Sequence, residues 1–182
     1  EVPPRSLEDF MRDNDLDGFN VTIPYKQEII KWCSELSERA RATGSVNTMI
    51  KMSDGSYRGD NTDYEGFLLM MVPIKDKIRG KKALILGSGG ASGSVKAVLH
   101  DLGADPLITV SRKGPVTYAH LENHKDASLI VNATPVGMYP KNGISPIDIE
   151  RFPECVFVAD LIYNPAKTAL MLQAERLGIP FN

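Results

Sequence analysis

Apolar positions along the chain switch between helical and strand spacing, and the switches divide it into two unlike stretches. Leu7, Phe10 and Met11 recur at helical spacing behind Ser6, a residue suited to an N-cap, which predicts a helix within 3–13. Gly18 to Ile23 is short, apolar and β-branched and reads as a strand ending at Pro24. Pro24 is tolerated in a first turn, and Ile29, Ile30, Trp32 and Cys33 continue the apolar character, so a helix is expected next. Val46 to Ile50 predicts a second strand, and Asp54-Gly55 a turn before Tyr57. Thr62 and Glu65 fit a capping box at the head of the apolar run Phe67 to Val72, which Pro73 should end. The basic run Lys75 to Lys82, broken by Asp76 and apolar residues, reads as a solvated linker into a second unit.

That second unit has a different rhythm. Ala83-Leu84-Ile85-Leu86 is apolar throughout, as strands of a parallel sheet are when both faces are covered. Gly87-Ser88-Gly89-Gly90 follows at once, then helical spacing through Val95, Val98 and Leu99. Further apolar strands are expected at 107–110, 128–131 and 156–159. Strands alternating with helices in this way indicate a doubly wound α/β unit.

Bulk properties exclude more than they identify. The 182 residues are 42% hydrophobic and 24% charged, ordinary values for a globular chain with a real core. A net charge of -2 leaves no electrostatic footprint for nucleic acid or an anionic membrane. No apolar run approaches the ~20 residues that span a bilayer. Cys33 and Cys155 lie far apart with no CxxC pair and no signal-peptide pattern, so they read as free thiols of a reducing cytoplasm. His120 and His124 could share a helical face, but their polar surroundings offer no third ligand, and a surface pair without metal is expected.

The glycine-rich turn carries the first candidate chemistry. Gly87, Gly89 and Gly90 between a buried strand and a helix would let the backbone approach a pyrophosphate, with its charge on the helix N-terminus. The third position of GxGxxG is Ser92, so the fingerprint is imperfect, and a tight turn in a nonbinding α/β domain would use the same glycines. The end of the next strand carries Ser111-Arg112-Lys113, with no carboxylate to bond ribose hydroxyls. Two cations there suit a 2′-phosphate, so NADP is expected over NAD.

Taken alone, Lys26 is one helical lysine among many, and Asp63 a residue that favours the positive end of its helix. Their neighbours say more. Asn20-Val21-Thr22-Ile23-Pro24-Tyr25-Lys26, Gly44-Ser45-Val46-Asn47-Thr48, Asn61-Thr62-Asp63, Asn132-Ala133-Thr134-Pro135-Val136-Gly137-Met138 and Asp160-Leu161-Ile162-Tyr163-Asn164-Pro165 with Thr168 resemble, in order, motifs of the shikimate dehydrogenase family.

The resemblance implies a two-domain α/β fold, with a small α/β substrate domain over 1–65 and an NADP-binding, Rossmann-type doubly wound parallel sheet over 66–182. It implies Lys26 and Asp63 as the catalytic pair, and Thr22, Asn47, Asp63 and Tyr163 as substrate contacts for shikimate or 3-dehydroshikimate. Gly87, Ser88, Gly89, Gly90 and Ala91 would line the pyrophosphate, Ser111, Arg112 and Lys113 the adenosine phosphate, and Thr134 and Met138 the nicotinamide end. It further implies a cytoplasmic monomer or homodimer.

The sequence departs from the family pattern in several places. It begins downstream of the family's first strand and serine-bearing turn, and stops at Asn182 before a return helix, so it reads as incomplete. The stretch from Arg112 to Asn132 is short by about a helix, and Gly93 and Ser94 stand where arginine and alanine are more frequent. The alternatives are a quinate/shikimate dehydrogenase of broader specificity and a noncatalytic NADP-binding relative. A methylenetetrahydrofolate dehydrogenase fits neither Asn61-Thr62-Asp63 nor the Asn132 to Met138 run.

Overall fold

The computed structural model describes residues 6–182, which form two four-stranded sheets. Helix α1 (Leu7–Asp13) opens as its spacing predicts: Ser6 Oγ accepts from the Asp9 N–H at 3.0 Å. Strands β1 (Gly18–Asn20), β2 (Cys33–Leu36), β3 (Thr48–Lys51) and β4 (Tyr57–Asp60) form a sheet in the order β1-β3-β4-β2. The β1/β3 and β3/β4 pairs are antiparallel, whereas β2 lies parallel to β4. Helix α2 (Glu38–Thr43) joins β2 to β3 and starts on Ser37, whose Oγ accepts from the Ala40 N–H.

Local pattern and tertiary structure disagree over 21–36. The strand expected to reach Ile23 stops at Asn20; Val21 N–H still reaches Asn47 O at 2.8 Å, then the chain turns, Tyr25 N–H donating to Thr22 O. The helix expected through Cys33 is a 3-10 stretch, Glu28–Trp32, and Cys33 starts β2. Pairing with β4 outweighs the helical spacing of Ile29, Ile30 and Trp32, because an edge strand gains its ladder only from a distant partner.

Helix α3 (Asp63–Met71) connects the two sheets. It starts one residue after Thr62, but the expected capping box is absent: Thr62 makes no side-chain cap, and Glu65 pairs with Arg39. The Asn61 carboxamide does the capping, its Oδ1 accepting from the N–H groups of Asp63 (3.0 Å) and Tyr64 (3.3 Å). The far end of α3 buries Phe67 and Met71 in the core of the second sheet. Each such side chain contributes roughly 1.5–3 kcal/mol. The run expected as a linker is ordered instead. After a 3-10 turn, Val72–Ile74, it forms the short helix α4 (Lys75–Ile78), pinned by the fully buried Ile78.

Strands β5 (Ala83–Leu86), β6 (Leu107–Val110), β7 (Leu129–Asn132) and β8 (Phe157–Asp160) make an all-parallel sheet in the order β6-β5-β7-β8. The apolar strands β5, β7 and β8 are buried along their whole length, as their composition requires. Helix α5 (Gly90–Asp101) follows β5, and helix α6 (Ala169–Arg176) starts on Thr168, whose Oγ1 accepts from Met171 N–H. Between β6 and β7 the chain carries a 3-10 stretch, Tyr118–His124, rather than an α-helix, and β6 stays half-exposed. His120 sits there as a cap partner, Nδ1 accepting from Thr117 N–H at 3.0 Å. Among the described residues no cluster of His, Cys, Asp or Glu could hold a metal, and no helix is long and apolar enough to cross a membrane.

Candidate active site

From β5 the chain crosses to β6 on one side and then back over to β7 on the other. The connections leaving the carboxyl ends of the paired strands β5 and β7 therefore part, as ligand-binding crevices in open α/β sheets require. A cleft of about 690 Å³ lies there. One wall is Gly87 to Ala91, Ser111, Arg112, Tyr118 and Ala133 to Val136; the other is Ile23, Pro24, Lys26 and Gln27.

The turn after β5 suits a phosphate. Gly87 has φ +108°, and a side chain on it would press on Ala133 O at 2.9 Å, so β5 and β7 stay close at their ends. No side chain caps the N-terminus of α5, and although Ser92 N–H donates to Gly89 O at 3.0 Å, the Gly90 and Ala91 N–H groups are left for a ligand. Ser92, at the imperfect third position, is buried and donates through Oγ to Gly89 O at 2.8 Å, closing the turn from inside. Ser88 and Gly89 are exposed to the cleft, and no heavy atom stands where a Gly89 side chain would be. The open approach to these backbone groups, in a cleft with a largely apolar lining, fits a dinucleotide.

Beyond β6, Ser111 is buried and Arg112 exposed, and both line the cleft; Lys113 is exposed outside that lining. Tyr118, missed in the sequence, faces the same end, and burial pushes its hydroxyl pKa up against the nearby Arg112 charge. On the β7 side, Thr134 is fixed by Asn132, whose Oδ1 accepts from Thr134 Oγ1 (2.7 Å) and N–H (3.1 Å). Met138 is exposed and lies outside the lining.

Lys26 and Asp63, far apart in sequence, meet at the mouth: Nζ to Oδ2 is 2.5 Å. Lys26 is 15% exposed in its side chain and its methylenes lie beside Gly90, while Asp63 keeps 33% exposure. Asn47 Nδ2 donates to Asp63 Oδ1 and to Thr62 Oγ1, both at 2.9 Å. A lysine, a carboxylate and a carboxamide thus share one partly open corner next to the glycine turn. Such a corner can hold a polyhydroxylated ring and move a proton at one of its oxygens. Thr22 is exposed on the turn before Pro24. Tyr163 is 90% exposed and is not brought to the cleft lining.

A family model described as the shikimate dehydrogenase substrate binding domain matches residues 1–49. The chain is 36% identical to the shikimate dehydrogenase (NADP(+)) of Shouchella clausii, over 92% of this chain and 67% of that protein. It is also 36% identical to that of Caldicellulosiruptor bescii, over 98% of this chain and 68% of the relative. The chain belongs to the shikimate dehydrogenase family. Among solved structures, shikimate 5-dehydrogenase from Thermus thermophilus in complex with NADP(H) and shikimate superposes with a TM-score of 0.81 at 29% identity, covering 100% of this chain and 72% of that one.

As a shikimate dehydrogenase family fold, the chain holds more of its site by indirect contacts than its motifs reveal. Asn61 supports Asp63 and Asn132 supports Thr134. Asp160 in turn supports Asn132, whose Nδ2 donates to both carboxylate oxygens at 3.0 and 3.1 Å. Each lies inside a recognised motif, but only their burial separates supporting residues from contacting ones.

Proposed function

We propose that the chain is an NADP-dependent shikimate dehydrogenase that reversibly reduces the ring ketone of 3-dehydroshikimate to shikimate. The observation that carries this reading is the Lys26–Asp63 contact at the mouth of a cleft whose other wall is the glycine turn. NADPH, held along Gly87 to Ala91, supplies the hydride when bound. The Lys26 ammonium then gives a proton to the oxygen that gains charge as the ketone carbon is reduced. Asp63 and Asn47 keep that ammonium and a ring hydroxyl in register, so orientation is set before reaction. Thr22 completes the ring contacts and Thr134 flanks the nicotinamide, whereas Tyr163 and Met138 lie outside the cleft lining and would have to swing in to reach their ligands. Residues 1–65 serve the substrate and 66–182 the cofactor.

Reduction of NADP by shikimate, followed as NADPH absorbance with the purified chain, tests the activity; absence of turnover with NADP binding retained would refute it. Cofactor choice rests on Ser111, Arg112 and Lys113, which offer donors and positive charge where an NAD site carries a carboxylate. A charge-assisted hydrogen bond from an exposed guanidinium is worth about 1.4 kcal/mol here, so Arg112→Ala should raise the NADP KM about tenfold. The NAD KM should stay unchanged in the same titration. An equal loss for both cofactors would place Arg112 on a part they share.

A further inference from the structure

Behind the Lys26–Asp63 corner lies a buried polar cluster, Thr43, Ser45, Asn61 and Ser94, none of which lines the cleft itself. Asn61 is 1% exposed and uses its whole carboxamide. Its Nδ2 donates to Thr43 Oγ1 (3.0 Å), Ser45 O (2.9 Å) and Ser45 Oγ (2.8 Å). Its Oδ1 accepts from the Asp63 and Tyr64 N–H groups and from Ser94 Oγ at 3.2 Å. Ser94 belongs to α5, the helix whose N-terminus opens on the glycine turn, and Ser45 Oγ donates to Gly90 O on the same helix at 3.2 Å. The approach is close because position 93 is glycine: any side chain there would run into the Thr43 carbonyl.

We propose that Asn61 is the positioning residue of the Lys26–Asp63 pair, and that Ser94 transmits to it the position of α5. Asn61 sets the first turn of α3, and so the direction in which Asp63 leaves the helix. Ser94 and Ser45 join that turn to the helix that receives the cofactor phosphates. The glycine turn and the proton-transfer pair are then held as one body, and neither can shift by a fraction of an ångström without the other. A carboxamide is suited to this position because it both donates and accepts, and a buried member left unpaired would be costly. The inference rests on the dehydrogenase reading and names residues that touch neither substrate nor cofactor.

The test is a double-mutant cycle on the full chain, reading kcat, both KM values and the pH profile of kcat. Ser94→Ala should lower kcat about threefold, and Asn61→Ala about thirtyfold, with both KM values within about twofold. The profile midpoint should move in both variants. The double variant should be no slower than Asn61→Ala alone, because Ser94 acts through Asn61. Full additivity, or an unaltered kcat and profile in Ser94→Ala, overturns the proposal. If Asn61→Ala does not fold, Ser94→Ala alone decides. Amide hydrogen exchange at Asp63 and Tyr64 reads the same coupling without turnover: protection should fall in Ser94→Ala, and unchanged protection overturns the coupling. A parent chain that fails to oxidise shikimate sinks the functional reading, while the exchange measurement still tests the linkage.

Discussion

Lys26→Ala is expected to lower shikimate oxidation by about a thousandfold while leaving the shikimate KM within about threefold. The alanine removes the cation in contact with Asp63 Oδ2 and with it the group that exchanges a proton with the reacting oxygen. Asn47 still donates to Asp63 Oδ1, and the Asn61 cap still orients the head of α3, so ring-binding groups remain in place. Lys26→Arg separates charge from acidity. A guanidinium keeps the ion pair but holds its proton at any working pH, so turnover should fall nearly as far as in the alanine variant. Substantial turnover in Lys26→Arg would assign position 26 an electrostatic role. A raised KM with unchanged kcat in Lys26→Ala would make it a binding residue.

The parallel sheet was legible because its strands are apolar on both faces, a pattern that few other structures share. Strand ends fall within a residue or so of expectation at β5, β6, β7 and β8. The first sheet was harder to read. Cys33 follows apolar residues at helical spacing, yet joins an edge strand whose partner is β4, and no local rule sees that partner. Thr62 and Glu65 match a capping box by spacing, but each finds a stronger partner elsewhere: Thr62 with Asn47, and Glu65 with Arg39. The residue before them, Asn61, does the capping.

The site divides the same way. The resemblance named Lys26 and Asp63 together, and the structure brings them together; Ser111 and Arg112 reach the cleft beside the glycine turn. Tyr118 could have been suspected only from a fold that already lacks a helix between β6 and β7. The supporting shell of Asn61, Ser94, Asn132 and Asp160 depends on burial and on contacts between distant segments, neither of which periodicity encodes.

Asp160 is where removal of a supporting residue should cost most stability. It is 2% exposed at the end of β8, with no cation among its hydrogen-bond partners within the described residues. Asn132 donates to both of its oxygens, Thr168 Oγ1 donates to Oδ2 at 2.7 Å, and Ile162 N–H donates to Oδ1 at 3.1 Å. Asp160→Ala would leave these buried donors without their acceptor, a loss of about 3 kcal/mol in urea unfolding, or roughly 6–12 °C in melting temperature. The NADPH KM should rise as well, because Asn132, freed on one side, is what holds Thr134. Burial pushes the Asp160 carboxyl above its ordinary pKa, against the pull of Thr168, Asn132 and the Ile162 amide. A folded-state value above the unfolded one means that the folded chain binds the proton more tightly. Its contribution is therefore full at acid pH and declines as pH rises through the raised value. The stability gap between parent and Asp160→Ala should narrow as pH climbs out of the ordinary carboxylate range. Asp60 should behave in the opposite sense. Burial raises its pKa, but the Ser37 hydroxyl, the Asn61 amide and the charges of Arg58 and Arg39 bring it below the usual range, so its contribution is lost as pH falls. A gap that widens with pH at Asp160 would mean that the ionised, fully hydrogen-bonded carboxylate is the form the fold prefers, with the donors outweighing burial.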